Sequence, residues 1–210
     1  MNYSGLIDSL LKEKLISNQV SVIEIREILT EISEVITSGL QGAICEFGCY
    51  AGTTSLFISK FLEKSQTNKK LYVYDSFEGL PEKGSKDSSS VGIEFKPGEL
   101  KFSKKDFINN YKKARVRLPI INKSWFSDLR DADLPPKVAL AFLDGDYYSS
   151  VLDPLNLIKD ELEVGSVVIV DDYLNPKLPG ASRALDEWVK INKIKHKLRI
   201  VSDMAILKLQ

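Results

Sequence analysis

The chain has 210 residues, 43% of them hydrophobic, and its 29 basic and 29 acidic side chains cancel to a net charge of zero. That length supplies one sizeable core, so a single domain over residues 1–210 is expected. A chain without net charge has no global field to draw it onto nucleic acid or an anionic membrane, and no run approaches the ~18 apolar residues of a membrane span.

A small neutral substrate fits that balance better than a polyanion. The N-terminus, MNYSGLIDSLLKEKLIS, mixes acidic and basic residues with leucine and isoleucine, which reads as an amphipathic helix and not as a signal peptide. Cys45 and Cys49 are the only cysteines and His196 the only histidine, so free thiols in a reducing compartment are expected and a zinc site is not. The expected location is the cytoplasm.

Residues 1–40 carry apolar side chains at helical spacing, among them Ile23, Ile25, Ile28, Leu29, Ile32 and Ile36, and predict a preface of two or three helices. The preface is a candidate contact for a homodimer or a cover for a bound cofactor. From residue 41 the pattern changes to short apolar runs ended by Gly or Asp, separated by helical stretches, as in a parallel sheet with crossovers. Strands are predicted at Ala43–Phe47, Leu71–Asp75, Leu118–Asn122, Val138–Leu143 and Ser166–Val170. Helices are predicted at Thr53–Glu63, Lys104–Ala114, Ser149–Asp160 and Ser182–Ile194. The end differs, because Leu198–Val201 and Met204–Leu207 are joined by Ser202 and Asp203 alone, which leaves room only for a closing antiparallel hairpin. The whole is an α/β, Rossmann-like arrangement: a seven-stranded, mostly parallel sheet with helices on both faces, the plan on which many S-adenosylmethionine-dependent methyltransferases are built. That likeness is one of fold and not yet of function. One long connection, residues 78–103, is rich in Gly, Ser, Pro and Lys and is expected to be a lid, a substrate loop or an idle insert.

The first strand runs into CEFGCYAGTTS, where Gly48 and Gly52 bracket a turn and Thr53 is placed to cap the next helix. A nucleotide cofactor would lie here, at the carboxyl end of the strand. The dinucleotide fingerprint needs a second glycine two residues after the first, and Cys49, Tyr50 and Ala51 intervene instead. Glu46 before the turn would repel a pyrophosphate but suits a cofactor bearing an ammonium and a sulfonium, which favours S-adenosylmethionine over NAD. Asp75, ending the second strand, stands where a carboxylate can accept from both ribose hydroxyls.

AFLDGDYY ends the fourth strand and SVVIVDDY the fifth, so Asp144, Asp146, Asp171 and Asp172 emerge at neighbouring strand ends. Like charges that close raise one another's pKa unless a cation intervenes, and oxygen ligands alone point to Mg²⁺, Mn²⁺ or Ca²⁺. Taken singly, each aspartate could instead cap a helix, as Asp146 could for the helix near Ser149, or stabilise a turn. A calcium loop of the EF-hand type is excluded, because counting from Asp144 puts Ser149 where glycine is required and Leu155 where glutamate is required. A glycosyltransferase could use Asp144 and Asp146 to hold a metal on a nucleotide sugar, but it leaves Glu46, Asp75 and the hairpin unexplained. A binding partner for S-adenosylmethionine without turnover has no use for the four aspartates.

With CEFGCYAGTTS, YDSFEGLPE, SWFSDL, LDGDYYSS and VVIVDDY followed by PGASRALDEW, the sequence resembles the macrocin O-methyltransferase family, bacterial enzymes that methylate sugar hydroxyls, often on antibiotics. The resemblance implies S-adenosylmethionine and Mg²⁺ (or Mn²⁺) as cofactors and a sugar or glycoside as acceptor. By the same resemblance Asp144, Asp171 and Asp172 are metal ligands and Asp146 is the general base. Glu46, Gly48, Asp75 and Ser76 would bind the cofactor, with Trp125 and Phe126 near its adenine, and Gly52 and Thr53 complete the cofactor turn. Two positions depart from the family pattern, Phe142 standing where histidine is common and Ala51 where arginine is common. Of the remaining marks, the cluster Lys190, Lys193, Lys195, Lys197 and Arg199 reads as a solvated face, His196 as a surface residue and Trp188 as packing against the sheet.

Overall fold

A computed structural model describes residues 3–92 and 95–210. Ile93 and Glu94, inside the predicted loop 78–103, and Met1 and Asn2 lie outside the described residues.

The preface is two helices, α1 (Ser4–Leu10) and α2 (Val22–Thr37). A capping box starts α2: the Ser21 hydroxyl accepts from the Glu24 N–H, and the Glu24 carboxylate accepts from the Ser21 N–H at 2.7 Å. Its buried stripe is Ile25, Ile28, Leu29, Ile32 and Val35, at helical spacing, while Ile23 is 60% exposed and falls outside it. Strands β1 (Ala43–Phe47), β2 (Leu71–Asp75) and β4 (Val138–Leu143) have the predicted bounds. Helices α3 (Thr53–Lys64) and α4 (Lys104–Ala114) connect β1 to β2 and lead to β3 (Ile120–Lys123). Then come α5 (Tyr148–Ile158), β5 (Leu162–Val170), α6 (Pro179–Asn192), β6 (His196–Val201) and β7 (Met204–Leu209).

The seven strands lie in the order β3-β2-β1-β4-β5-β7-β6, all parallel except β7, which runs antiparallel to both β5 and β6. Side chains alternate between two cores. Ile44, Val73, Leu140, Phe142 and Ile169 face α1 to α4, whereas Cys45, Phe47, Tyr74, Ala141, Leu143 and Val170 face α5 and α6. With both faces covered, β1 and β4 are buried throughout, which is why they read as unbroken apolar runs.

Some boundaries differ from expectation. Strand β5 begins at Leu162 and not at Ser166, because a bulge containing Gly165 (φ +94°) separates its first residues from the regular run. There the Ser166 hydroxyl donates to Val138 O at 2.9 Å and accepts from the Glu163 N–H. Helix α6 begins earlier than expected, with Pro179 at its first position, where a missing N–H costs nothing. Strand β3 starts at Ile120, leaving Leu118 42% exposed.

The basic cluster is not wholly a solvated face: Arg199 donates to Glu27 (2.8 Å) and Glu31 (2.6 Å), tying β6 to α2. Trp188 is buried against the sheet, and Cys45 and Cys49 are buried free thiols. Among the described residues no helix is long and apolar enough to cross a membrane.

Candidate active site

Strand order reverses between β1 and β4, and ligands of such sheets bind beyond the carboxyl ends of the strands at that point. A cavity of about 460 Å³ opens there, walled by the turns that follow the parallel strands. Gly48, Cys49 and Tyr50 come from β1, Asp75 and Ser76 from β2, Trp125 and Phe126 from β3, Asp144 and Asp146 from β4, and Asp171 and Asp172 from β5.

The glycine turn is fixed by contacts a side chain would destroy. Gly48 has φ +90°, and a Cβ there would fall 2.0 Å from the carbonyl oxygen of Asp144. The β1 turn therefore lies directly on the β4 turn, and the Asp144 N–H donates to Phe47 O at 2.8 Å. Gly52 (φ +86°) leaves room for the ring of Phe107, 2.6 Å from where its Cβ would be. Asp75 holds the same turn from the other side. Its Oδ2 accepts from the Cys49 N–H (2.8 Å) and the Tyr50 N–H (3.3 Å), and its Oδ1 accepts from the Phe77 N–H (2.7 Å). A carboxylate offers about four acceptor sites, so Oδ1, with one donor, keeps capacity for a ligand hydroxyl.

At the other end, carboxylate oxygens of Asp144, Asp171 and Asp172 all lie within 4.8 Å of one another. Burial pushes the Asp144 carboxyl well above the usual carboxylate range, and the charges of Asp171, Asp146 and Asp172 push it further. Asp171 is raised in the same way, by burial first and by Asp172 next. A donor set of hard oxygens, one residue buried and two half-buried, with this repulsion fits a divalent hard cation, which would remove the proton the cluster otherwise demands. Asp146 and Asp172 both adopt left-handed backbone (φ +62° and +55°), a conformation aspartate tolerates better than most residues, and it turns each chain sharply off its strand. Asp146 is 7% exposed and lines the cavity without belonging to that three-carboxylate group.

Of the sequence-predicted residues, Gly48, Asp75, Ser76, Trp125, Phe126, Asp144, Asp146, Asp171 and Asp172 are brought to one wall system. Glu46, Gly52 and Thr53 are not on it. The Glu46 carboxyl accepts from the Ser55 hydroxyl of α3, and burial first, then the charge of Asp75, push its pKa up to about 8 against the lowering effect of that bond. Beside it Ser59 and Tyr111 share a hydrogen bond of 3.0 Å. Thr53 does not cap α3 with its side chain; its hydroxyl meets Ser17 of the preface at 2.6 Å. Phe142 is fully buried on the α2 side, and Ala51 is buried with its carbonyl accepting from Asn110 at 3.0 Å, so neither departure from the family pattern touches the cavity.

Sequence reasoning missed several wall residues. Gln19 and Glu24 come from the preface and Asp203 from the β6–β7 turn, all brought in by tertiary packing. Asp153 stands on α5 one turn after Ser149. From the loop 78–103, Gly79, Leu80, Pro81, Phe95 and Leu100 line the cavity, and its ends pair through Leu80 N–H to Glu99 O and Gly98 N–H to Leu80 O. Among the described lining residues there is no Lys, Arg or His, while carboxylates come from every side.

A doubly wound sheet closed by an antiparallel hairpin, with acidic turns at the ends of β4 and β5, is the class I methyltransferase fold. The chain belongs to the macrocin O-methyltransferase family (TylF), whose pattern it matches over residues 21–208. The O-methyltransferase NovP superposes with a TM-score of 0.85 at 20% identity, covering 100% of both chains. The calicheamicin methyltransferase CalS11 does so with a TM-score of 0.69 at 18% identity, over 97% of this chain and 90% of that one.

Among curated proteins, the chain is 32% identical over 153 residues to a Streptomyces olivaceus 8-demethyl-8-(2,3-dimethoxy-alpha-L-rhamnosyl)-tetracenomycin-C 4'-O-methyltransferase, an alignment that covers 68% of this chain and 57% of that protein. It is 27% identical over 167 residues to the demethyldecarbamoylnovobiocin O-methyltransferase of Streptomyces niveus, covering 75% of this chain and 62% of that protein. The match thus spans about three fifths of the length of these relatives.

Proposed function

We propose that the protein is an S-adenosylmethionine-dependent O-methyltransferase that methylates a hydroxyl of a sugar or glycoside, in one domain, with Mg²⁺ (or Mn²⁺) held by Asp144, Asp171 and Asp172. The observation that carries this reading is the group of three carboxylates within 4.8 Å, in the same cavity as the glycine turn and Asp75. The Streptomyces olivaceus relative, a 4'-O-methyltransferase of a rhamnosyl-tetracenomycin, supports the acceptor class. The described wall carries no cationic side chain, which supports a neutral acceptor.

Methyl transfer is an in-line displacement, so the protein's part is to align an acceptor oxygen with the methyl group and to remove its proton. A divalent cation, when bound, would lower the pKa of a sugar hydroxyl and orient it. Gly48 and the turn held by Asp75 would bind the cofactor at the β1 end, with Trp125 and Phe126, which line the same cavity, offering apolar surface for its adenine. Asp146 takes the proton: it lines the cavity, one glycine from Asp144, and is not one of the three clustered carboxylates.

The direct test is a methyl-release assay over glycosides with vicinal diols, with and without a chelator, beside calorimetry with S-adenosylhomocysteine. Asp146→Asn should bind the cofactor product as the parent does and lose turnover by about 100-fold or more. A chelator-insensitive enzyme or a fully active Asp146→Asn would overturn the corresponding assignment.

A further inference from the structure

Helix α5 follows the Asp144-Gly145-Asp146 turn directly, and its own N-cap residue, Tyr147, supplies no side-chain cap. The cap comes from the loop over the cavity. Asp87, 5% exposed, accepts from the Tyr148 N–H through Oδ1 at 2.6 Å and from the Gly84 N–H through Oδ2 at 2.8 Å. A Cβ on Gly180 of α6 would fall 1.9 Å from Asp87 Oδ1 and 2.5 Å from Tyr148 N, so the glycine provides the space in which the carboxylate meets the helix.

The neighbours of Asp87 are fastened to the same region. Lys83 lies over the Tyr147 ring at 5.1 Å and Lys86 over the Tyr148 ring at 4.5 Å. Arg183 of α6 donates to Lys86 O and Ser88 O, and the Ser89 hydroxyl donates to Pro176 O at 2.7 Å. Asp146 itself sits at φ +62°, a sparsely populated conformation that persists only when its surroundings impose it. The turn is imposed from one side by Asp144 N–H to Phe47 O, and from the other by Tyr147 N–H to Gly145 O with Tyr148 N–H held by Asp87.

We propose that Asp87 is a positioning residue for the reaction: by capping α5 it holds Asp146 in its left-handed turn. The proposal rests on the methyl-transfer reading above for its kinetic arm alone. It identifies the work of the loop's Lys-Gly-Ser-Lys-Asp run (83–87), whose two lysines and aspartate meet the consecutive Tyr147 and Tyr148.

The test compares Asp87→Ala, Asp87→Asn, Gly180→Ala and Arg183→Ala in the full chain. Asp87→Ala should lower kcat by about 10- to 100-fold, the cost of a small misplacement of a reacting group, with KM for the methyl donor and affinity for S-adenosylhomocysteine close to the parent's. Asp87→Asn, which keeps an acceptor for the Tyr148 N–H, should recover most of kcat.

Gly180→Ala should reproduce Asp87→Ala, and the double variant should be no worse than either single one, because both remove the same contact. Arg183→Ala, which loosens the loop backbone but leaves the cap, should stay within about 3-fold of the parent, as an exposed contact would. Equal losses in Arg183→Ala and Asp87→Ala, additive losses in the double variant, or no rescue by Asn would overturn the proposal.

Hydrogen exchange gives a readout that needs no turnover. Asp87→Ala should accelerate exchange across residues 146–150 and not in β1 or β4. Unchanged exchange there refutes the positioning role even in a chain that methylates nothing, whereas accelerated exchange with no activity in any variant would refute only the methyl-transfer reading.

Discussion

At the scale of single residues, the site is built from contacts that tolerate no extra atom and from carboxyls whose charge is costly. Gly48 is the sharpest case: a methyl group there would overlap the Asp144 carbonyl at 2.0 Å, and both atoms belong to backbone that other bonds fix. Gly48→Ala should therefore destabilise the fold by several kcal/mol, about 2–4, and abolish cofactor binding, measured by denaturant unfolding and calorimetry. Glu46 makes a prediction about pH. Its folded pKa, about 8, lies above the ordinary 4.5, so the native state retains a proton that the unfolded chain releases. Its contribution to stability is complete below about pH 4.5, declines as pH rises toward 8 and is gone above it. The slope from one such group is at most ~1.4 kcal/mol per pH unit. Glu46→Gln should accordingly show a flatter fall in Tm between those pH values than the parent, and identical slopes would mean that Glu46 is ionised in the native protein.

At the scale of elements, α2 links the preface to the site. It buries its apolar stripe against β4, β5 and α3, carries Glu24 into the cavity wall and is tied to β6 through Arg199. Its start depends on one hydroxyl. Ser21→Ala should cost about 1 kcal/mol, the usual worth of a helix cap, read as a lower denaturation midpoint at unchanged m-value. The Glu24 carboxylate keeps its own donors in that variant, the residue-21 N–H and the Ser202 hydroxyl, so the loss is that of the cap alone. Helix α2 was legible from the spacing of Ile25, Ile28, Leu29 and Ile32; its contribution to the cavity was not, because nothing local relates residue 24 to residue 203. Helix α5 teaches the same lesson in reverse. The sequence offers Asp146 as its cap, yet Asp146 is turned into the cavity and Asp87, 61 residues before Tyr148, takes that place.

At the scale of the whole molecule, the carboxylates of β4 and β5 oppose the sheet that carries them, since burial and mutual repulsion raise Asp144 and Asp171 together. A divalent cation that binds the native state alone should stabilise it by RT ln(1 + [L]/Kd), about 2.7 kcal/mol at 100 times Kd. A thermal scan should thus show Tm rising with Mg²⁺ in the parent and much less in Asp171→Asn; equal shifts would place the cation elsewhere. What the sequence by itself determined was everything encoded within a few neighbouring residues. The apolar runs that become buried strands, the glycine turn of residues 48–52, and the Asp-Gly-Asp and Asp-Asp strand ends all carry their structural meaning in their own spacing. The closing hairpin belongs with them, because two residues between Val201 and Met204 allow nothing else. Only the tertiary structure decided which carboxylates share a cavity, that Glu46 and Thr53 bond to Ser55 of α3 and Ser17 of the preface, and that a loop aspartate caps the helix behind the Asp-Gly-Asp turn. Those relations join residues far apart in the chain, and the free energy that selects them, burial of apolar faces together with pairing of buried polar groups, exists only once the sheet and its two helical layers have closed.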